Sequence, residues 1–61
     1  MNPAEFKAIR NGIGWTQQRL AEELNVSREY VGLMERGMAA IERRTELALR
    51  YVASSQARAD A

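Results

Sequence analysis

Apolar residues recur along this chain at helical rather than strand spacing. Phe6 and Ile9, Leu20 and Leu24, Val31 and Met34, then Ile41, Ala48, Tyr51 and Val52 form successive i,i+3 and i,i+4 stripes between polar positions. No convincing strand is predicted. The polar residues between the stripes mark where each helix starts and stops. Asn2 can cap, Pro3 suits a first helical position, and Glu5 stands where a capping-box acid belongs. The first helix is expected to run to about Arg10, with Ile13 just past its end. Asn11-Gly12 reads as its stop, because either residue tolerates the left-handed conformation, and Gly14 is a second break. Thr16 is a good N-cap for a second helix, although Arg19 at the capping-box position carries the wrong charge. Leu20 and Leu24 are core-facing i,i+4 partners, and Ala21 is small enough for close helix approach. Asn25 can take the left-handed terminal position, Val26 is expected to plug the turn, and Ser27 caps a third helix that Gly37 ends.

After a short loop, Gly37–Ala40, a last helix is expected from Ile41 to about Ala53. Leu47–Leu49 are consecutively apolar, so this helix is apolar over more than one stripe. Either it packs deeply or part of it meets a partner. From Ser54 to Ala61 the apolar period is lost and fraying is expected. The fold class is therefore all-α: a small bundle of four or five short helices, with one domain over 1–53 and a tail over 54–61.

Composition narrows the function. A chain of 61 residues holds one small domain, burying only about 60% of its unfolded surface, so stability is expected to be marginal. It has no cysteine and no histidine, which removes disulfides, thiolate metal sites and the commonest general base. An enzyme, a cofactor or a metal site is not expected. There is neither a long apolar run nor a basic-then-apolar start, so a cytosolic protein without membrane contact is the default expectation. The net charge of +1 is too small to point to nucleic acid by itself. Any DNA affinity must come from where the arginines sit.

The stretch Thr16–Arg36 organises the chain, as two short helices joined by a tight turn. Val31 and Met34 make one side of Ser27–Arg36 apolar. Its other side carries Arg28, Glu29, Gly32, Leu33 and Arg36, too mixed for a core and too short for a coiled coil. GWTQQRLAEELNVSREYVGLMERG resembles the lambdoid repressor/Cro-like (XRE-type) helix-turn-helix. In that family the second helix opens Thr-Gln, a small Ala sits mid-helix, and the third helix ends Glu-Arg-Gly. The resemblance spans Phe6 to about Val52. Departures are Asn25 at a turn position often occupied by Gly, Trp15 for a commoner Leu, and no Pro before the last helix.

The resemblance implies a bacterial or phage DNA-binding regulator with Ser27–Arg36 as its recognition helix. Bases in the major groove differ by donor and acceptor pattern, and residues at the start of that helix and one turn on can read them. Arg28 suits guanine, Glu29 cytosine N4, and Leu33 a thymine methyl. Gly32, costly inside a helix, would let the backbone approach closely. The competing reading of Arg28 and Glu29 is an ordinary solvated helix start, and that of Gly32 is drift. Gln17 is the strongest phosphate contact, with Ser27 and Tyr30 beside it; Tyr30 can instead pack against the second helix. By resemblance, Arg36 and the arginines opening the last helix, Arg43 and Arg44, hold the other strand. Arg43 and Arg44 read equally well as solvated charges paired with Glu42 or Glu46. Also by resemblance, Arg10 and Glu35 form a partly buried bridge. Trp15 and Met34 are expected in the core, and Arg19 and Arg50 in solvent.

The leading reading is thus a repressor that binds a (pseudo)palindromic operator in double-stranded DNA as a homodimer. Leu47, Leu49, Tyr51 and Val52 of the last helix are the expected dimer surface, and no small-molecule ligand is evident. An antitoxin or phage accessory regulator that also binds a protein is the alternative within the DNA class. A helical protein-interaction module is the alternative outside it. Retention on duplex DNA that falls with salt separates the last from the other two.

Overall fold

Asn2 starts the first helix by a reciprocal exchange. Its side-chain oxygen accepts the Glu5 N–H at 2.8 Å, and Glu5 Oε1 accepts the Asn2 N–H at 3.3 Å, with Pro3 in the first turn. In this computed structural model, which describes residues 1–59, four helices follow one another: α1 (Pro3–Gly12), α2 (Gln17–Leu24), α3 (Arg28–Glu35) and α4 (Arg43–Ala59). There is no strand among the described residues. Thr16 and Ser27 cap α2 and α3 as expected, accepting the Arg19 and Tyr30 N–H groups, each at 3.1 Å.

The first three helices end the same way. A residue with positive φ follows the helix, and the two N–H groups from there on return to carbonyls of the last turn, which is the Schellman arrangement. At α1 that residue is Gly14 (φ 76°), with Gly14 N–H to the Asn11 carbonyl and Trp15 N–H to the Arg10 carbonyl. At α2 it is Asn25 (φ 59°) and at α3 Gly37 (φ 78°). Asn25 therefore fills the turn position where the family often has Gly, because its short polar side chain tolerates this conformation. The expected stop at Asn11-Gly12 is corrected: α1 runs through both, and Gly14 makes the break.

The core consists of Phe6, Leu20, Ala21, Val31, Met34 and Leu49, all fully or almost fully buried. It draws on all four helices, and each large side chain contributes about 1.5–3 kcal/mol by burial. Ile9, Trp15, Leu24, Tyr30 and Ile41 pack around it, half-buried. Val26 does not plug the turn; it is 37% exposed.

Helix α4 departs most from expectation. It begins at Arg43 rather than Ile41 and continues through Ser54 and Ser55 to Ala59. Helical backbone thus extends past the expected end at Ala53, while Asp60 and Ala61 lie outside the described residues. Its phase also differs. Leu49 is completely buried, whereas Leu47 and Tyr51 are 53% and 71% exposed. The inward face follows Thr45, Leu49, Val52 and Gln56. Leu49 is therefore a core residue, and its assignment to a dimer surface is wrong.

Candidate nucleic-acid interface

The centre of the site is an ion pair that fixes α3 to α1. Arg10 Nε and Nη2 donate to Glu35 Oε2 and Oε1 at 2.6 and 3.1 Å. The two side chains are only 10% and 3% exposed. Arg10 Nη1 donates to the Trp15 carbonyl at 2.7 Å, so the same guanidinium spans the α1–α2 connection. Burial by itself raises the Glu35 pKa. Hydrogen bonds from Arg10 and Gln17, with the charges of Arg10 and Lys7, outweigh it and hold the carboxyl below its ordinary value.

Gln17 completes this network. Its Nε2 donates to Glu35 Oε1 at 3.0 Å, which orients the first residue of α2 against the last residue of α3. Capping by Thr16 serves Arg19 and leaves the Gln17 and Gln18 N–H groups without a helix partner. A start of this kind favours anions.

Beside Gln17 lies a shallow concavity of about 230 Å³, lined by Gln17, Arg28, Glu29, Gly32, Leu33 and Arg36. All four residues expected to read bases are brought together here with two expected to hold phosphate. Arg28, Glu29 and Arg36 are exposed and Leu33 is half-buried. Glycine inside a helix costs about 0.5–1 kcal/mol relative to alanine. A Cβ at Gly32 would meet its nearest neighbours, in the Arg36 and Gln17 side chains, no closer than 3.8 Å, so no packing within the protein requires glycine there.

The other expected phosphate contacts are placed differently. Ser27 is exposed beside Arg28, its oxygen accepting from Tyr30 N–H and its own O–H left to donate. Tyr30 lies outside the concavity. It lines a second groove of about 600 Å³ with Leu24, Val26, Thr45 and Ala48, in accord with packing against α2. Arg43 and Arg44 are exposed at the start of α4. Arg44 lies 3.6 Å from Glu42, whereas Arg43 has no ion-pair partner among the described residues. Arg19 is not simply a solvent charge: its guanidinium stacks 4.7 Å from the Trp15 ring centroid and lies 3.7 Å from Glu23. Arg50 pairs with Glu46 at 3.1 Å. Sequence reasoning missed the Gln17–Glu35 bond and the Trp15 carbonyl as an Arg10 partner. Neither has a local signal.

A helix-turn-helix family profile matches residues 6–48, from the first core residue into the second turn of α4. The chain belongs to the Cro/C1-type (XRE) helix-turn-helix family. It is a DNA-binding regulator of that type, with α2 and α3 as its bihelical unit. No curated protein and no solved structure matches the chain. No helix among the described residues is long and apolar enough to cross a membrane.

Proposed function

We propose that the protein is a transcriptional repressor that binds a (pseudo)palindromic operator as a homodimer, with α3 in the major groove. The observation that carries this reading is the single concavity shared by Gln17, Arg28, Glu29, Gly32, Leu33 and Arg36. Arg28, Glu29 and Leu33 read base edges: Arg28 as a donor pair for guanine, Glu29 as an acceptor for cytosine N4, Leu33 against a thymine methyl. Glu29 repels phosphate, so its place on this surface favours discrimination over indiscriminate affinity. Gln17, the N–H groups opening α2, Ser27 and Arg36 hold the backbone on one side, and Arg43 holds it on the other. The bridge between Arg10 and Glu35 fixes the angle between reader and clamp.

One domain of this size covers roughly 600–1,000 Å² of DNA, little for a specific regulator. Two copies one helical turn apart, about 34 Å, add their contacts. On α4 the side chains available for pairing are Leu47 and Tyr51, exposed at i,i+4, with half-buried Val52 beside them. The test is selection of binding sites from random duplexes, followed by titration of the selected site. The expected result is a two-fold-related sequence bound with an affinity that falls with salt. Failure to enrich any sequence, or a lone half-site bound as tightly as the full site, overturns the proposal.

A further inference from the structure

The three Schellman ends differ in what they lean on. The second of the two returning N–H groups comes from an apolar residue each time: Trp15, Val26 and Met38. It donates to the carbonyl of Arg10 at 3.3 Å, of Ala21 at 3.0 Å and of Leu33 at 2.8 Å. An apolar residue in this position commonly packs beside the residue whose carbonyl it bonds. Arg10 and Ala21 are buried, and Trp15 is half-buried and Val26 37% exposed. Leu33 instead lines the concave face with Arg28, Glu29 and Arg36, and Met38 is 72% exposed. The turn that sets Trp15 and Val26 beside buried residues thus sets Met38 beside a residue of the concave face. Met38 is not among the residues packed around the core. Its thioether is at most a weak acceptor, so it cannot hold a phosphate. It can take an apolar group, and the major groove presents one, the C5-methyl of thymine. Three rotatable bonds let the side chain adapt to it.

Resting on the reading of α3 as the groove helix, we propose that Met38 is a specificity residue outside that helix, taking the methyl of a second thymine in the half-site. Leu33 and Met38 then form one apolar pad at the C-terminal end of α3. The half-site carries two thymine methyls that the protein feels, one for each side chain.

The test scans the selected operator with deoxyuridine, which removes only the methyl, one thymine at a time. The wild type loses about fourfold in affinity at each of two positions per half-site, the worth of one buried methyl. Met38→Ala melts like the wild type, since the side chain stands mostly in water. It no longer feels one of these methyls, while the other methyl and the salt dependence are unchanged. A single methyl-sensitive position per half-site, or both sensitivities retained by Met38→Ala, overturns the pad. Loss of both sensitivities in Met38→Ala overturns it too, because Met38 then only props Leu33. Should Met38→Ala melt lower, Met38→Gln, of equal length, carries the same test, and retained sensitivity at both methyls overturns the proposal. Arg28→Ala separates the two levels. If it changes base preference while Met38→Ala still feels both methyls, only the pad fails. If it too changes nothing, the groove-helix reading fails.

Discussion

Arg10 and Trp15 hold each other from both sides. Arg10 Nη1 donates to the Trp15 carbonyl at 2.7 Å, and the Trp15 N–H returns to the Arg10 carbonyl at 3.3 Å. With Glu35 accepting from Nε and Nη2, one side chain ties α1, the α1–α2 connection and α3 together. Removing either charge leaves the other buried and unpaired, at about 3–5 kcal/mol. That is a large part of what a domain of this size possesses. Arg10→Ala and Glu35→Ala are each expected to lower the melting temperature by tens of degrees, on the order given by small-domain entropies, or to prevent folding. Circular dichroism melting checks this, and an unchanged midpoint for Glu35→Ala refutes it.

The same carboxylate makes stability depend on acid. The folded-state pKa of Glu35 lies below its ordinary 4.5: burial raises it, and the bonds and charges from Arg10, Gln17 and Lys7 together outweigh that rise. A depressed folded value means the contribution is complete above the ordinary range and is lost as pH falls through the folded value. Stability is thus expected to decline progressively once pH drops below about 4.5. Glu46 shifts the same way through Arg50 and the N-terminal ammonium, but on the surface. Urea unfolding at stepped pH should show a smaller acid slope for Glu35→Gln than for wild type. Equal slopes would remove Glu35 from the account.

Readers and clamps should separate by mutation. Arg28→Ala is expected to lose about 1–3 kcal/mol of discrimination at one G·C pair while keeping its melting temperature. Gln17→Ala should weaken all sequences alike. Because Gln17 also donates to Glu35, it should in addition lose about 1 kcal/mol of stability. Competition binding against single-base operator variants distinguishes the two, and the same profile for both would undo the division.

Leu47 and Leu49 are two residues apart on α4 and should behave oppositely. Leu49→Ala opens a cavity in the core and is expected to cost about 2–5 kcal/mol in the monomer. Leu47→Glu alters an exposed position and should leave the monomer's unfolding unchanged while dissociating the proposed dimer. Sedimentation equilibrium with denaturant unfolding reads both. A Leu47→Glu protein that sediments like wild type would move the pairing surface elsewhere.

What was legible in the chain follows the range of each interaction. Asn2, Thr16, Ser27 and Asn25 act within one helical turn, so their capping roles can be read from neighbouring residues. The choice between Gly12 and Gly14 depends on which carbonyls find partners, and two glycines so close offer both answers. The phase of α4 was not legible. Leu47, Ala48 and Leu49 spread over most of a turn, and only docking against the other three helices decides that Leu49 goes inward. The gathering of Arg28, Glu29, Gly32 and Leu33 was legible because one helix carries all four. That Gln17 leans on Glu35, eighteen residues away in sequence, was not.

The pairing of charges inside the molecule has a consequence for how it finds its site. Arg10, Arg19, Arg44 and Arg50 each lie beside a carboxylate, which leaves Lys7, Arg28, Arg36 and Arg43 uncommitted among the described residues. Each phosphate neutralised displaces counterions and steepens the salt dependence by about 0.9, so the two cations proposed to hold the backbone, Arg36 and Arg43, give a slope of roughly −2 per domain. Random DNA, offering only that electrostatic attraction, holds such a protein weakly and releases it fast. Under the proposed reading, time spent on wrong sequence is short, and occupancy of the right one rests on base contacts rather than on the count of phosphates held.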